Sequence, residues 1–260
     1  MLDGPLRTAA AASLKLNLRS HSQGADAVAR SLVDGSLHAD LFIPITARPM
    51  RTVIQANKVE HARPFASTEM VLVYSPKSRF AAQFEAASKG TANWWEILQQ
   101  PGLRFVRSNP AGDPGGRNII FTIMLAASKY GQPDLVNKIL GSTLNPAQIL
   151  TAADTQAGLK SGDLDASGSY RIGPEWSGLP YITLPNDVNL SGTSLPPLTL
   201  QVEDKTFHPE PLVFYAGVLK DAANPSGARA FITWLCSGEG RRILKEHGFG
   251  SVDGASDLGS

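Results

Sequence analysis

The sequence predicts an α/β fold in which parallel strands are covered by helices on both faces. Short segments rich in β-branched and aromatic residues alternate with segments whose apolar residues recur at helical spacing. Several of the predicted strands are almost continuously apolar, as expected where both faces of a sheet are buried. The chain of 260 residues is long enough for one large domain or two small lobes.

The predicted strands are short, apolar and bounded by turn residues. They are residues 14–20, 39–46, 70–75, 103–108, 180–185 and 211–219. Residues 164–173 add a short strand that runs into a small polar turn. The stretch 186–210 is rich in Ser, Thr, Asn and Pro and is predicted as a loop with one or two short strands.

The predicted helices lie between most of these strands. They are residues 24–35, 91–100, 118–131, 132–140, 147–162 and 225–248. The last one begins at Pro225 and carries basic residues in its final turns before Gly248, which is ordinary capping and helix-dipole chemistry.

The composition argues against several classes of function. The 24 basic and 23 acidic residues are interspersed, which disfavours nucleic acid and anionic membranes as partners. No stretch approaches the roughly 20 apolar residues of a membrane span, and the N-terminus lacks the pattern of a secretory signal. The five histidines are single and the sequence has no nucleophile elbow, P-loop or dinucleotide fingerprint. We therefore expect no enzymatic activity, no metal and no cofactor.

The stretch SNPAGDPGGRN, residues 108–118, stands directly before a predicted helix. Asp113 is predicted as its N-cap, with Pro114 at the first helical position. A helix start exposes N–H groups and favours negative charge, and glycines let a ligand approach them closely. The turn therefore either holds an anion or simply caps the helix. Arg117 opposes the helix dipole, which indicates a nearby anion or a carboxylate partner.

Two further helix or strand ends are candidates. In RSHSQG, residues 19–24, the side chains of Ser20, Ser22 and Gln23 precede a helix that begins near Ala25, and the alternative is a serine N-cap. In DASGSYRI, residues 165–172, a strand runs into Ser169 and Tyr170, and the alternative is a solvated loop.

The order of these motifs resembles that of extracellular solute-binding proteins of ABC importers, in particular the branch that binds molybdate and tungstate. The resemblance runs through ADLFIPIT, FASTEMVLVYSPKS, NWWEILQQPGLRFVRSNPAGDPGGRN, LPYITLPNDVNLS and the terminal KDAANPSGARAFITWLCSGEGRRILKEHGFG. It implies the type II periplasmic-binding-protein fold, with two α/β lobes of mostly parallel sheets flanked by helices, and a ligand between the lobes.

Carried onto this chain, the resemblance implies a lobe I of residues 1–67 and 192–260 and a lobe II of residues 68–191. The crossover strands are expected near residues 65–71 and 184–190. The implied ligand is a small oxyanion, and the implied partner is a membrane permease. The ligand-binding residues are expected to be Ser20, Ser22, Gln23, Asp113, Arg117, Ser169 and Tyr170.

The resemblance also implies a periplasmic or extracellular monomer that does not insert into the membrane. Members of the family begin with a strand and a serine turn before the segment that resembles LDGPLRTAAAAS, so we expect that strand, that turn and the signal peptide to be missing here. The alternative function is a cytoplasmic ligand-sensing regulatory domain with the same two-lobe fold.

Two positions bear on which oxyanion binds. Ser169 stands where the branch with expanded metal coordination has a glutamate, so we expect a tetrahedral oxyanion held by N–H and O–H donors. Asp113 is retained. If its carboxylate faces the ligand, it favours a protonated anion such as hydrogen phosphate or a metal-centred contact; if it only caps its helix, it is silent about the ligand.

Overall fold

Two structural units make up the chain in the computed structural model, which describes residues 5–192, 194–252 and 254–259. The first unit comprises the chain up to Thr68 and again from Glu210, and the second comprises Glu69–Pro209. The chain therefore passes from one unit to the other twice. In the described part of the chain, every helix is too short or too polar to cross a membrane.

The structure contains helices throughout both units. In chain order they are α1 (Pro5–Leu14), α2 (Ala25–Asp34), α3 (Ala47–Gln55), α4 (Ala81–Ser88), α5 (Trp94–Ile97), α6 (Pro114–Lys129), α7 (Leu135–Leu140), α8 (Ala152–Ser161), α9 (Ile172–Ser177), α10 (Pro225–Leu235) and α11 (Gly238–Glu246). The strands are β1 (Leu41–Phe42), β2 (Val59–Ser67), β3 (Met70–Tyr74), β4 (Phe105–Val106), β5 (Ala166–Tyr170), β6 (Tyr181–Thr183), β7 (Leu200–Val202), β8 (Lys205–Phe207) and β9 (Val213–Leu219).

The mixed content of helix and sheet confirms the α/β class, but the expectation of mostly parallel sheets is wrong. Among the described strand pairs only β4–β5 is parallel. The sheet of the second unit has the order β4-β5-β3-β6, and β3 runs against both of its neighbours. Strands β5 and β6 therefore point the same way, as strands joined through a helix should, but β3 lies between them.

The first unit repeats this arrangement. Its sheet has the order β1-β9-β2, and β9 is antiparallel to both neighbours. Strands β1 and β2, which α3 connects, again share one direction with a strand from a distant part of the chain between them. The alternation of strands and helices therefore predicts correctly that consecutive strands run in the same direction. It predicts wrongly that they are neighbours in the sheet, because a strand from elsewhere in the sequence lies between them.

The second predicted boundary also differs from the structure. Residues 184–190 were expected as a crossover and residues 192–209 as part of lobe I, yet both segments lie in the second unit. Residues 184–190 are held in the second unit by Asn189, whose amide nitrogen donates to Glu69 Oε2 at 2.8 Å and to Leu184 O at 3.1 Å. Residues 192–209 are held in the second unit by Phe207, whose ring packs against the guanidinium of Arg117 in α6. The first division, between Thr68 and Glu69, lies inside the predicted crossover 65–71.

The strand expected over residues 14–20 is absent. Helix α1 ends at Leu14, and residues 15–20 form neither helix nor strand. Lys15 adopts a φ of 54°, a left-handed conformation that an extended strand does not accommodate.

The core of the first unit lies between its sheet and helices α2 and α3. Val28 and Leu32 of α2 and Met50 and Val53 of α3 are buried against the sheet. The C-terminal segment then lies along β2, where Ala62 and Leu258 exchange both backbone hydrogen bonds, each at 2.9 Å. Ser67 and Gly250 form a second such pair at 3.0 and 2.9 Å.

The single helix predicted for residues 225–248 is two helices. Ser237 interrupts it, since its hydroxyl donates to Trp234 O at 2.6 Å and accepts from Gly240 N at 3.3 Å as the N-cap of α11. A Cβ on Gly240 would lie 2.3 Å from Trp234 O, so this tight junction requires glycine.

Helix α6 is the centre of the second unit. Its residues from Ile119 to Phe121 and from Leu125 to Ala127 are buried, so it is apolar on nearly all sides. A helix buried in this way is held rigidly by packing, and the residues at its start are fixed with it.

Candidate functional site

The start of α6 is capped as the sequence predicts. Asp113 is the N-cap, and its Oδ1 accepts a hydrogen bond from Gly115 N at 2.8 Å. Pro114 occupies the first helical position. Before it, Asp113 N donates to Asn109 O at 2.9 Å, which closes the turn. One carboxylate oxygen of Asp113 is thus engaged in the cap, and the aspartate has a structural role whether or not a ligand is present.

Gly116 of this turn has a steric explanation, whereas Gly112 does not. A Cβ on Gly116 would lie 2.2 Å from Ser108 O and 2.9 Å from Pro110 N. Backbone therefore lies directly against the first turn of α6, and only glycine fits there. A Cβ on Gly112 would meet nothing within 4 Å.

The buried side chain of Arg117 binds the backbone of the same turn. The residue is only 2% exposed, and its Nη1 donates to Pro110 O at 2.8 Å. Its guanidinium carbon lies 4.2 Å from the ring centroid of Phe207 in β8. These contacts give the basic residue in the first turn a role in fixing the turn that precedes α6.

Asn118 joins α6 to the end of β5. Its Nδ2 donates to the hydroxyl oxygen of Tyr170 at 3.1 Å, and Asn118 is 5% exposed. Close packing of helix and strand makes this contact possible, because a Cβ on Gly168 would lie 2.3 Å from Ile119 Cγ1. The start of α6 and the hydroxyl of Tyr170 therefore belong to one fixed arrangement.

Ser169 does not belong to that arrangement. Consecutive residues of a strand point to opposite faces of the sheet, and β5 extends through Tyr170, which is paired with Met70. Tyr170 lies on the face that contacts α6, so Ser169 lies on the other face. There its Oγ is close enough to α9 that a Cβ on Gly173 would approach it to 2.6 Å.

The candidate residues Ser20, Ser22 and Gln23 lie in the first unit, and all three are exposed. Helix α2 begins at Ala25 as predicted, but its N-cap is Gly24 and no side chain caps it. The alternative interpretation of a serine N-cap is therefore wrong.

The first turn of α2 nevertheless contains an acid. Asp26 Oδ2 lies 3.0 Å from Arg48 Nη2, and Arg48 Nε lies 3.8 Å from Glu210 Oε2. Burial raises the pKa of Glu210 above its ordinary value, and the charge of Arg48 only partly opposes this. Arg48 neutralises Asp26 locally, so the negative charge at this helix start is offset.

An open groove of about 480 Å³ lies beside the α6 start within the second unit. Its lining residues come from the turn before α6 and from the start of α8: Ser108, Asn109, Gly112, Asp113, Ile149, Leu150, Thr151, Ala152 and Asp154. Thr151 caps α8, with its Oγ1 accepting from Asp154 N at 3.1 Å. The starts of α6 and α8 thus border one open groove, which is lined by both polar and apolar residues.

Arg107, the residue before Ser108, connects neighbouring backbone segments. It is 1% exposed, and its Nη2 donates to Ser142 O at 3.1 Å and Thr143 O at 2.7 Å. Burial lowers the pKa of Arg107. Its backbone N–H also donates to Gln148 O at 2.8 Å, which attaches the strand before Ser108 to the segment before α8.

Three of these residues were missed by reasoning from the sequence. Asn118 carried a usable signal, because it is an amide near the start of an otherwise apolar helix. Arg107 and Phe207 carried no such signal, since their roles depend on residues far away in the chain. In the described part of the chain, no three His, Cys, Asp or Glu side chains come together as metal ligands.

Sequence relatives include two archaeal proteins with the same name. The chain is 28% identical over 259 residues to the molybdate/tungstate-binding protein WtpA of Pyrococcus abyssi, which covers 90% of this chain and 74% of that protein. It is also 28% identical over 259 residues to WtpA of Thermococcus kodakarensis, covering 90% and 72%.

The fold is shared with solved structures at lower identity. The periplasmic molybdate-binding protein of Azotobacter vinelandii matches with a TM-score of 0.67 and 16% identity, over 94% of this chain and 91% of that chain. The sulfate-binding protein SubI from Mycobacterium tuberculosis matches with a TM-score of 0.59 and 17% identity, over 89% and 75%. These structures establish the two-lobe α/β fold. The model of the family described as bacterial extracellular solute-binding protein matches residues 8–250, and the chain therefore belongs to this family.

Proposed function

We propose that this protein captures a small oxyanion of the molybdate or tungstate kind and delivers it to the membrane permease of an ABC importer. The names of its relatives support the ligand class. The observation that carries the proposal is the joined arrangement of the α6 start and Tyr170. Backbone N–H groups at a helix start and a phenolic hydroxyl, held together by Asn118, are donors suited to an oxyanion.

The structure refines which predicted residues are proposed as ligand contacts. From the second unit we propose Tyr170 and the first-turn amides of α6, with Asp113 and Arg117 shaping the turn that presents them. From the first unit we retain Ser20, Ser22 and Gln23 as proposed contacts. Ser169 is left out, because it lies on the opposite face of β5 from Tyr170.

The donor set favours a tetrahedral oxyanion over expanded coordination of its metal centre. One oxygen of Asp113 is engaged by Gly115 N, and Ser169 has no carboxylate. Hydrogen bonds and the helix dipole then supply the binding energy, and no chemical step is required. We propose that the protein is a monomer and that it acts outside the cytoplasmic membrane. The description of its family as extracellular supports the location.

A thermal-unfolding experiment tests the proposal directly. The unaltered protein is heated with molybdate, tungstate, sulfate, phosphate or organic acids at low ionic strength. An oxyanion at 100 times its dissociation constant should add about 2.7 kcal/mol, which raises the midpoint by roughly 5–10 °C for a protein of this size. Calorimetric titration then gives the dissociation constants.

Tyr170→Phe provides the matched variant, and Tyr130→Phe its control. The Tyr130 ring stacks on Trp95 and lies outside the proposed site, so its variant should retain the shift. Tyr170→Phe should reduce it. If no oxyanion raises the midpoint of the unaltered protein, or if only organic acids do, the proposed ligand class is wrong.

A further inference from the structure

We infer that Arg48 compensates the charge of Asp26 and thereby allows the turn before α2 to bind a dianion. The inference rests on the proposed function, in which the exposed residues Ser22 and Gln23 are ligand contacts. Asp26 lies in the first turn of α2, just after these residues. An uncompensated carboxylate at that position would repel the oxyanion that the turn is proposed to bind.

The start of α2 has to satisfy two conflicting requirements. An acid in the first turn stabilises a helix, because the exposed N–H groups there carry partial positive charge. Asp26 is that acid, and no side chain caps α2. A bound dianion would use the same N–H groups and the same dipole. A cation beside Asp26 removes the conflict and leaves the helix its acid.

Arg48 is placed to be that cation. Its Nη2 donates to Asp26 Oδ2 at 3.0 Å, and the side chain of Asp26 is only 13% exposed. Arg48 stands in the first turn of α3. Leu32 of α2 and Met50 of α3 belong to one buried apolar cluster, so the packing of the two helices holds the arginine beside the acid.

Glu210 holds the start of α3 and shares the guanidinium of Arg48. Its carboxylate accepts hydrogen bonds from the Thr46 hydroxyl and from the backbone N–H of Arg48. Its Oε2 also lies 3.8 Å from Arg48 Nε, and the planar guanidinium can face two carboxylates at once. Burial raises the pKa of Glu210, and the charges of Arg48 and Arg51 oppose this. Two acids and two arginines therefore balance at this place.

The balance of charge gives Arg48 an effect that depends on the charge of the ligand. Without Arg48, the turn before α2 would present a net negative charge to a dianion. A residue that only held the shape of the turn would act independently of charge. Restoring the balance by removing Asp26 as well should therefore restore binding.

A charge-restoring double variant tests this role. Dissociation constants for molybdate and sulfate are measured by calorimetric titration at low ionic strength with the unaltered protein, Arg48→Met, Asp26→Asn and the double variant. We expect Arg48→Met to weaken binding about tenfold and Asp26→Asn to strengthen it about fivefold. The double variant has the net charge of the unaltered protein and should bind within about twofold of it.

Two further variants and a salt series serve as controls. Arg48→Lys keeps the charge and should bind within about threefold of the unaltered protein. Arg229→Met removes an exposed arginine from α10 in the same unit and should have almost no effect on binding. The loss caused by Arg48→Met should shrink to about twofold in about 1 M sodium chloride, where the Debye length is only about 3 Å.

The outcomes separate this inference from the proposed function. If the double variant binds as weakly as Arg48→Met, or if Asp26→Asn does not strengthen binding, the inference is wrong and the proposed function stands. A loss that is equal at low and high salt also overturns it. If the unaltered protein binds neither anion, the proposed function itself fails. Urea denaturation shows whether each variant is folded, and Asp26→Asn, which leaves Glu210 its arginine, decides the question if Arg48→Met is not.

Discussion

The ring of Phe207 lies against the guanidinium of Arg117, 4.2 Å from its centre, and both residues are almost completely buried. Strand β8 is thereby attached to the first turn of α6, just before the chain leaves the second unit. A cation held against an aromatic ring is worth about 2 kcal/mol when both are shielded from water. The same arginine holds Pro110, so the contact fixes the turn before α6.

Phe207→Leu should therefore destabilise the second unit by more than the loss of buried apolar area alone would cause. We expect Phe207→Leu and Arg117→Lys each to lower the free energy of unfolding by about 1–2 kcal/mol. The double variant should lose about 1 kcal/mol less than the sum, because the residues are in direct contact. Urea denaturation of the four proteins measures this. Strict additivity would show that the two side chains act independently.

Gly116→Ala should be strongly destabilising. The added Cβ would lie 2.2 Å from Ser108 O, which is backbone and cannot move aside easily. We expect a loss of about 2–4 kcal/mol in the free energy of unfolding. Gly112→Ala is the matched control, because its Cβ would meet nothing within 4 Å. Equal stability of the two variants would contradict the proposed steric role of Gly116.

Two substitutions of Asp113 separate the effect of its capping hydrogen bond from the effect of its negative charge. Asp113→Ala removes the acceptor for Gly115 N and should cost about 1 kcal/mol of stability. Asp113→Ser keeps an acceptor and removes the negative charge, so its stability should stay close to that of the unaltered protein. Its affinity for a dianion should rise, since one repulsive charge is removed. Weaker dianion binding by the serine variant would indicate that the carboxylate contacts the ligand favourably.

Asp165 should make the free energy of unfolding decrease at acidic pH. Burial alone would raise its pKa, but hydrogen bonds from Arg104 and Ser78 outweigh this and lower it below the ordinary value of 3.8. The stability it contributes is present above that value and is lost as the pH falls through the lowered pKa. Asp165→Asn should cost about 1–3 kcal/mol at pH 7. The difference should shrink below about pH 3.8 in denaturation curves recorded across pH.

Glu210 should have the opposite dependence. Its pKa is raised, chiefly by burial, so the folded protein holds its proton more tightly than the unfolded chain does. The stability it contributes is therefore present at low pH and falls as the pH rises above the ordinary value of 4.5. Glu210→Gln cannot ionise and should gain stability relative to the unaltered protein as the pH rises from 4 toward 7. A gap that stays constant over this range would show that Arg48 compensates the buried charge.

Local chemistry was the part of this fold that the sequence predicted well. Helix α6 and its cap followed from Asp113 and Pro114, and strands β3 and β9 followed from their apolar runs. The first part of strand β2 was missed because Glu60, His61 and Arg63 interrupt its apolar residues and Pro64 follows them. Only its end, from residue 65, lies in the predicted crossover strand. Its pairing with β9 overrides the weak strand propensity of these residues.

Relationships between distant residues could not be predicted in the same way. The insertion of β3 between β5 and β6 is a property of the whole sheet, and no pattern within β3 specifies it. Ser169 and Tyr170 were grouped because they are adjacent in sequence, whereas the pleat of β5 separates their side chains. Asn118 meets Tyr170 only because Gly168 allows a helix and a strand to approach closely.

The C-terminal segment has a consequence for how the protein should be handled. By pairing with Ala62 and Ser67, residues 250 and 258 shield the outer edge of β2, which would otherwise be open to strands of other molecules. Shortening the chain before Gly250 should therefore promote self-association by edge-to-edge pairing. A tag fused directly after Leu258 would lie beside the same edge and should disturb this pairing.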